Sequence, residues 1–464
     1  MWKQENKTKR RETAAIILSI FVLAWPTMLE EALRTVVQYV DAAMVGRLGP
    51  DATAVVGITN IVSWLINSPI SAAGVGLIAY ISRMAGAGEA DKIKRASVQA
   101  VYIAVLLGVL ECAITLSVSG FLPKWMGMEE RLYKEASRYF FIVCLPLLFR
   151  AFMAIFGAVL RAVKDTKTPM YINVFVNALN IILNFLLIYE ARSIRIGGIS
   201  FRLWGAGMGT AGAAIGTAVS FTAGGLLMMA ALWKNPLVSP KGAAFKPDME
   251  IIKPCARIAV PVALERMVSC FGHVTFTSIV TRLGTVSFAA HSIAETAEQA
   301  FYIPGYGMQS AATTLEGNAL GEGDKRKLKK TARILLALVV FMMTVSGGIM
   351  FISAHGLMTI FSKDASVISL GTVVLKICAL SEPVFGAYII LGGIFDGVGD
   401  TLPPFIYSLI GMWGIRIPIS FLCVHVWGLN LTAVWLCMIA HNVAVAGMMF
   451  VHYLKGKWNP LKAG

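Results

Sequence analysis

Apolar residues gather into twelve long runs along this chain, at about 13–45, 52–82, 96–120, 132–160, 168–189, 204–233, 254–281, 287–317, 332–355, 366–395, 402–424 and 429–454. Each run can supply a bilayer-spanning helix, which needs ~20 mostly apolar residues. None shows the every-other-residue alternation of a transmembrane β-strand. The pattern predicts an all-α polytopic membrane protein with twelve transmembrane helices. Connections between runs are short except at 234–253, where NPLVSPKGAAFKPDME mixes Pro, Gly and Lys and reads as a linker.

Composition agrees with that pattern. The chain has 464 residues, of which 57% are hydrophobic and only 14% charged, whereas a soluble domain carries roughly 25% charged residues. A disordered chain and a soluble enzyme on a membrane anchor are both excluded. The net charge of +15 would suggest nucleic acid if taken as one number, but its distribution is topological. Of the 41 Lys and Arg, 26 fall on the side that holds both termini, nine on the opposite side and six within the runs. Lys and Arg collect in cytoplasmic loops, so both termini are expected in the cytoplasm, with anionic lipid as neighbour and no nucleic-acid partner. Arg10 and Arg11 precede an apolar run as in a signal peptide, but no small-residue cleavage site follows, so the run reads as a retained span. The seven cysteines include no CxxC pair and read as small core residues rather than as a disulfide framework or metal site.

The chain also repeats itself. An offset of 235 pairs Pro26 with Pro261, Glu30 with Glu265, Arg47-Leu48-Gly49 with Arg282-Leu283-Gly284, Gly86 and Gly88 with Gly321 and Gly323, and Asp165-Thr166 with Asp400-Thr401. At Trp204-Gly205 and Trp427-Gly428 the offset falls to 223, so the first half carries twelve extra residues in its last external loop. Six spans per half give both halves the same orientation, which predicts two six-helix lobes related by a pseudo-two-fold axis along the membrane normal, with a cavity between them. The expected organisation is an N-terminal lobe at 1–233, a cytoplasmic linker at 234–253 and a C-terminal lobe at 254–464.

Ionisable groups inside a bilayer are costly and usually functional. On the first span Glu30, Arg34, Gln38 and Asp41 share one helical face, and Glu30 and Arg34 also have the spacing of a simple i, i+4 ion pair. The seventh span repeats the stripe as Glu265, Ser269, His273 and Thr277, with Phe276 where the first span has Asp41. Pro26 and Pro261 each lie four residues before the glutamate; a kink there frees a carbonyl near a carboxylate, a setting for a proton or small cation. The eighth span carries Glu295, Glu298, Gln299 and Tyr302, against Asn60, Ser63, Trp64 and Asn67 in the second, and Glu382 lies on the tenth. Asn177, Asn180 and Asn184 follow helical spacing on the fifth span, equally suited to interhelical packing or to lining a cavity. GMGTAG at 207–212 matches a dinucleotide-binding pattern, but it opens an apolar helix with no strand before it and reads as small-residue packing. No nucleophile–base constellation appears, so an enzyme is not expected.

These residues resemble a known family, the multidrug and toxic compound extrusion (MATE) transporters. The likeness rests on Pro26 with VDAAMVGRLG, AGAGEADK, LGEGDK, LRAVKDTKTP, NALNIILNFLLIY, AAHSIAE, GGIFDGVGDTLPP and RIPISF, and it covers nearly the whole chain. It implies extrusion of substrate by alternating access in exchange for inward H+ or Na+, from a bacterial cytoplasmic membrane, by a single chain with no cofactor beyond the coupling ion. Asp41 then corresponds to the family's first-lobe carboxylate and Asn180 to a neighbouring amide. Asn184 stands where the DinF-like branch has a second aspartate, which favours a NorM-like reading with the cation site in the second lobe. Glu265 and Glu382 match those second-lobe positions to within about a turn, so a Na+ site is expected near them. The coupling set is thus Asp41, Glu265, Glu382, Glu295, Glu298 and Glu30. The cavity set is Gln38, Asn60, Trp64, Asn177, Asn180, Asn184, His273, Phe276, Gln299 and Tyr302, an acidic and aromatic lining that suits lipophilic cations. The alternatives are an exporter of anionic or lipid-linked metabolites, which calls for net basic cavity faces, and a passive channel, which calls for a symmetric filter that these diverged halves lack.

Overall fold

A computed structural model describes the backbone of residues 2–196 and 199–463; side chains at 1–9, 58, 60, 61, 64, 192–203 and 462–464 fall outside the description. All twelve apolar runs are helical over most of their length, but the sixth starts at Gly209 rather than at 204, because residues 204–206 end a strand. The first six are α1 (Trp2–Gly46), α2 (Pro50–Gly86), α3 (Ala90–Val118), the short α4 (Leu122–Trp125) with the consecutive pair α5 (Tyr133–Cys144) and α6 (Leu147–Ala162), α7 (Lys167–Leu187) and α8 (Gly209–Lys234). The second six are α9 (Met249–Thr281), the consecutive pair α10 (Thr285–Gln299) and α11 (Ile303–Gly321), α12 (Lys325–Phe361), α13 (Ala365–Val398), the broken rod α14 (Leu402–Leu409) and α15 (Ile417–His425), and α16 (Leu431–Lys455). Wide π-type turns at Ile410–Arg416 join α14 to α15. The twelve extra residues of the first half form an antiparallel hairpin, β1 (Glu190–Ile196) and β2 (Ile199–Ala206), with Ile196 opposite Ile199. Alternation in RSIRI and SFRLW fits a two-faced strand pair better than a helix.

Among the described residues, nine helices are long and apolar enough to span a membrane, and α5 with α6, bent by 41°, makes a tenth. The rods outside that count are α9, with Glu250, Lys253, Arg257, Glu265 and Arg266, and the α10–α11 pair, with Glu295, Glu298 and Glu316. Charged residues lower the hydropathy of α9 along its length, and α10, at 15 residues, is too short to count by itself. Large apolar side chains face outward elsewhere, Ile352 at 86% exposure and Leu380 at 73%, as lipid contact requires.

The chain packs as two compact units, one of Met1–Glu31, Ile78–Ala90 and Lys253–Gly464, the other of Ala32–Leu77 and Asp91–Ile252. Packing boundaries therefore cut α1 and α2 rather than coinciding with the ends of the sequence repeat. In the first unit, Ile20, Leu23 and Ala24 of α1 join a core with Met308, Leu335, Val339, Met343, Ile394 and Phe395. Thr27 Oγ1 next to the α1 proline donates 2.5 Å to Gly307 O on α11. A second core gathers Phe276, Met350, Val374, Leu375 and Trp435. In the other unit, Met44, Val45, Val55, Tyr139 and Ala214 form the corresponding centre. The 234–253 segment is fastened there rather than free: Gln99 Nε2 donates to Lys246 O at 2.9 Å, Gln99 Oε1 accepts from Asp248 N at 3.1 Å, and Arg95 pairs with Asp248.

The GxG pairs of the two repeats acquire distinct jobs. Gly88 and Gly323 turn the chain at φ 74° and 71°, where a Cβ is disfavoured. Gly86 and Gly321 instead let α2 and α11 touch: a Cβ on Gly86 would lie 2.0 Å from Asn318 O, and one on Gly321 would lie 1.9 Å from Arg83 O. Arg83 and Asn318 are themselves repeat partners at offset 235. Between them, a Cβ on Gly317 would meet Ser82 Oγ at 2.0 Å, and Ser82 is the repeat partner of Gly317. The contact is thus two-fold in pattern. Gly321→Ala and Gly86→Ala should each cost about 1–3 kcal/mol, the range for overpacking a close contact, read as a lowered Tm in detergent. Gly348→Ala, where nothing lies within 4 Å of a new Cβ, should leave Tm unchanged or slightly raised by better helix propensity. Equal shifts for all three variants would rule out the crossing as a special contact.

Candidate functional site

Buried polar clusters form in each unit separately. In the unit that contains Ala32–Leu77, the carboxylate of Asp41 on α1 meets the amides of α7. Asn184 Nδ2 donates to Asp41 Oδ1 at 2.8 Å and to Asn180 Oδ1 at 3.2 Å, and Asn180 Nδ2 donates to Thr217 Oγ1 of α8 at 3.2 Å. Four-residue spacing on α7 stacks the two asparagines on one face, and both are buried. Gly216 makes the room: a Cβ there would lie 2.3 Å from Asn184 Oδ1. That oxygen has no hydrogen-bond partner, so the amide has acceptor capacity left beside the carboxylate. Tyr139 is buried within electrostatic reach of Asp41. Asn173 turns away to its own helix, donating to Pro169 O at 3.0 Å. Gln38 is exposed and Asn177 half-buried. The side chains of Asn60 and Trp64 lie outside the described residues.

The other unit holds the larger set, in two parts. Glu265 on α9 accepts from Tyr388 Oη at 3.2 Å, with Asp396 of α13 in electrostatic reach. Glu298 of α10 and Glu382 of α13 form the second part with Cys378, whose Sγ lies 2.7 Å from Glu298 Oε1. Glu382 is 1% exposed, and its Oε2 has no hydrogen-bond partner. Tyr302 hydrogen-bonds Glu298. Beside this part, His273 Nε2 pairs with Glu295, and His291 Nε2 lies 3.7 Å from the same carboxylate. Arg416, buried at the end of the π-type turns, stacks 3.9 Å above the Phe276 ring and lies in electrostatic reach of Glu295 and Glu298. Its Nε has no hydrogen-bond partner. Phe276 is fully buried, so it supports the guanidinium rather than offering a face to a cavity. Gln299 is exposed, and Glu30 is half-buried in this same unit.

Five of the six expected coupling carboxylates thus belong to one unit, and Asp41 belongs to the other. Sequence reasoning missed several partners. Cys378, read as core filler, is part of a carboxylate cluster. Tyr388, Asp396, His291 and Arg416 were not assigned to the acidic stripes. Glu111 on α3 is 9% exposed with both oxygens unpartnered and Arg150 in electrostatic reach. Glu316 on α11 is fully buried with both oxygens unpartnered. Both are lone carboxylates inside apolar runs, the signal already used for the others. Outside the spans, the Arg131 guanidinium bonded to Asp51 at 2.5 and 2.8 Å holds that carboxyl below its ordinary range.

A polytopic helical bundle with ionisable clusters buried in its spans defines a membrane transporter. The MatE family profile matches residues 26–186 and 261–422, one match in each repeat. This chain therefore belongs to the MatE family of transporters and is not an enzyme. It is 27% identical over 454 residues to a protein named probable multidrug resistance protein NorM from Thermotoga maritima, covering 98% of this chain and 96% of the relative. A Bacillus subtilis protein named probable multidrug resistance protein YoeA is 24% identical, covering 97% and 96%. A solved MOP superfamily transporter from Pyrococcus furiosus superimposes with TM-score 0.87 at 22% identity, covering 96% of both chains. The fold is that of these transporters, a multi-pass all-α membrane protein with twelve transmembrane helices in two lobes.

Gly216→Ala should force Asn184 off Asp41 without touching either residue's chemistry. Infrared difference spectra should show the Asp41 carboxyl stretch, identified by its loss in Asp41→Asn, displaced in Gly216→Ala and Asn184→Ala alike. An unchanged band in Gly216→Ala would contradict the positioning role given to the glycine.

Proposed function

We propose that this transporter is a cation-coupled antiporter that exports lipophilic, mostly cationic compounds by alternating access. It acts as a single chain in the bacterial cytoplasmic membrane, with both termini cytoplasmic and no cofactor beyond H+ or Na+. The observation that carries this reading is the carboxylate set on α9, α10 and α13, in which Glu298 and Glu382 are 4% and 1% exposed and Glu265 is half-buried. Carboxylates this deep in apolar spans are costly unless they bind something. Oxygen donors from Glu265, Tyr388 and Asp396 suit a proton or a hard alkali cation. The names of the relatives, probable multidrug resistance proteins, point to the same class of cargo.

Exchange requires that occupancy favour one conformation, since a ligand with equal affinity for both shifts nothing. One-for-one exchange of a monovalent cationic cargo for H+ or Na+ moves no net charge, so the concentration gradient of the coupling ion drives it; each net charge that does cross, with a neutral cargo or a second ion per cycle, adds ~2.3 kcal/mol per 100 mV. The buried Arg416, with an unpartnered Nε, favours a second reading in which the cargo is anionic. The Pyrococcus furiosus transporter is described as having a binding pocket of reverse polarity that suggests a different function. Here the acidic residues outnumber that arginine, so cationic cargo is preferred.

Ethidium efflux from inverted vesicles, energised separately by a proton and a sodium gradient, tests the proposal. One gradient should drive efflux in the wild type, and Glu265→Gln, which keeps shape but removes charge, should abolish the coupled component while folded protein remains. Normal coupled efflux by Glu265→Gln would sink the assignment. Efflux driven by neither gradient would move the reading to anionic or lipid-linked cargo.

A further inference from the structure

We propose that Glu298, Cys378 and Glu382 bind a borderline-soft divalent metal ion of the zinc and cadmium class. One ligand atom from each lies within 4.8 Å of the other two. Exposures of 4%, 1% and 1% put all three out of solvent. Cys378 and Glu382 stand four residues apart on α13 and so share a face, while Glu298 reaches the same point from α10.

The arrangement offers more than a group of acids. Glu382 Oε2 has no hydrogen-bond partner although the residue is almost completely buried. A buried carboxyl oxygen is costly without a partner, and a metal ion supplies one. The third donor is sulfur, which a proton or an alkali cation does not need but zinc-class ions favour. Tetrahedral zinc, with bonds of about 2.3 Å to sulfur and 2.0–2.2 Å to oxygen, sets its ligand atoms roughly 3.6 Å apart, so small rotations within the 4.8 Å cluster suffice. Ser381 Oγ, 4.0 Å from Cys378 Sγ, or a water fills the fourth position.

Thiolate and two carboxylates carry three negative charges against two on the metal, and the Arg416 guanidinium, which also faces Glu295, lies within electrostatic reach of Glu298 and Cys378. Binding forms one metal–sulfur and two metal–oxygen bonds, breaks the S–H bond and the O–H bond of either carboxyl that is protonated, and releases those protons to solvent; no electron moves. Glu298 and Glu382 are shared with the proposed coupling set, but the metal site does not rest on that reading, because its signature is metal–thiolate absorption and not transport.

The full-length protein in detergent should be titrated with Cd2+, reading the ultraviolet cadmium–thiolate charge-transfer band. A Cys423→Ser/Cys437→Ser background removes a competing pair whose sulfurs lie 3.7 Å apart. The band should saturate at one equivalent and vanish in Cys378→Ser. Glu382→Gln and Glu298→Gln keep the thiol and should weaken binding beyond the ~10–100-fold that outer-shell changes cost. Absence of the band, its persistence in Cys378→Ser, or unchanged affinity in both glutamine variants would overturn the proposal. Loss of coupled efflux in Glu265→Gln without Cd2+ binding would overturn the metal site alone, and Cd2+ binding with normal efflux in Glu265→Gln would overturn the coupling assignment alone.

Discussion

The close crossing of α2 and α11 at Gly86 and Gly321 is the contact on which the rest of this architecture depends. Two helix backbones meet where a single methyl group would collide with a carbonyl oxygen at 2.0 or 1.9 Å. Only glycine allows that approach, and both repeats supply it at the same register. Together with the Thr27 to Gly307 bond beside Pro26, it fastens the start of α1 and the end of α2 into the unit built around residues 253–464. Each of these two helices then continues into the other unit, so a proline-containing rod carries residues of both. Asp41 on the far part of α1 and Glu30 on the near part belong to different units for this reason, although they share one face of one helix.

A duplicated backbone has been given unequal chemistry. The register that holds Glu298, Cys378 and Glu382 in the second repeat holds Ser63, Val143 and Leu147 in the first. Conversely, the position of Asp41 is taken by Phe276, which lies beneath Arg416. The first repeat surrounds one carboxylate with amides; the second gathers several carboxylates with histidines, a thiol and an arginine. In a low-dielectric interior such groups stabilise one another only when the network is completed.

Most of the fold was legible because lipid imposes one-dimensional rules. Run length identified all twelve helical segments, and offset 235 identified the duplication down to the glycine pairs. The rods outside the membrane-span count are α9, charged along its length, and α10–α11, broken into a short helix and a longer one. The hairpin was visible only as an insertion of the right length. Stripe periodicity places Asp41, Asn180, Asn184, Glu265, Glu295, Glu298 and Glu382 on polar helix faces, since one helix face is a property of local spacing. It could not find who faces them: Cys378 is 80 residues from Glu298, and Tyr388 is 123 from Glu265. Phe276 is an aromatic on the same face that packing has buried beneath Arg416. Membership of α1 and α2 in two units depends on tertiary crossings that no spacing rule contains.

The central claim is that cargo and cation move in opposite directions through one thermodynamic cycle, and reversal of the cycle tests it most directly. Protein reconstituted in liposomes would be given an ethidium gradient and no ion gradient, with internal proton and sodium indicators reading the response. The account predicts that downhill ethidium flux drives one of the two ions uphill in the opposite direction. Ethidium flux that moves neither ion would contradict exchange and leave an uncoupled carrier.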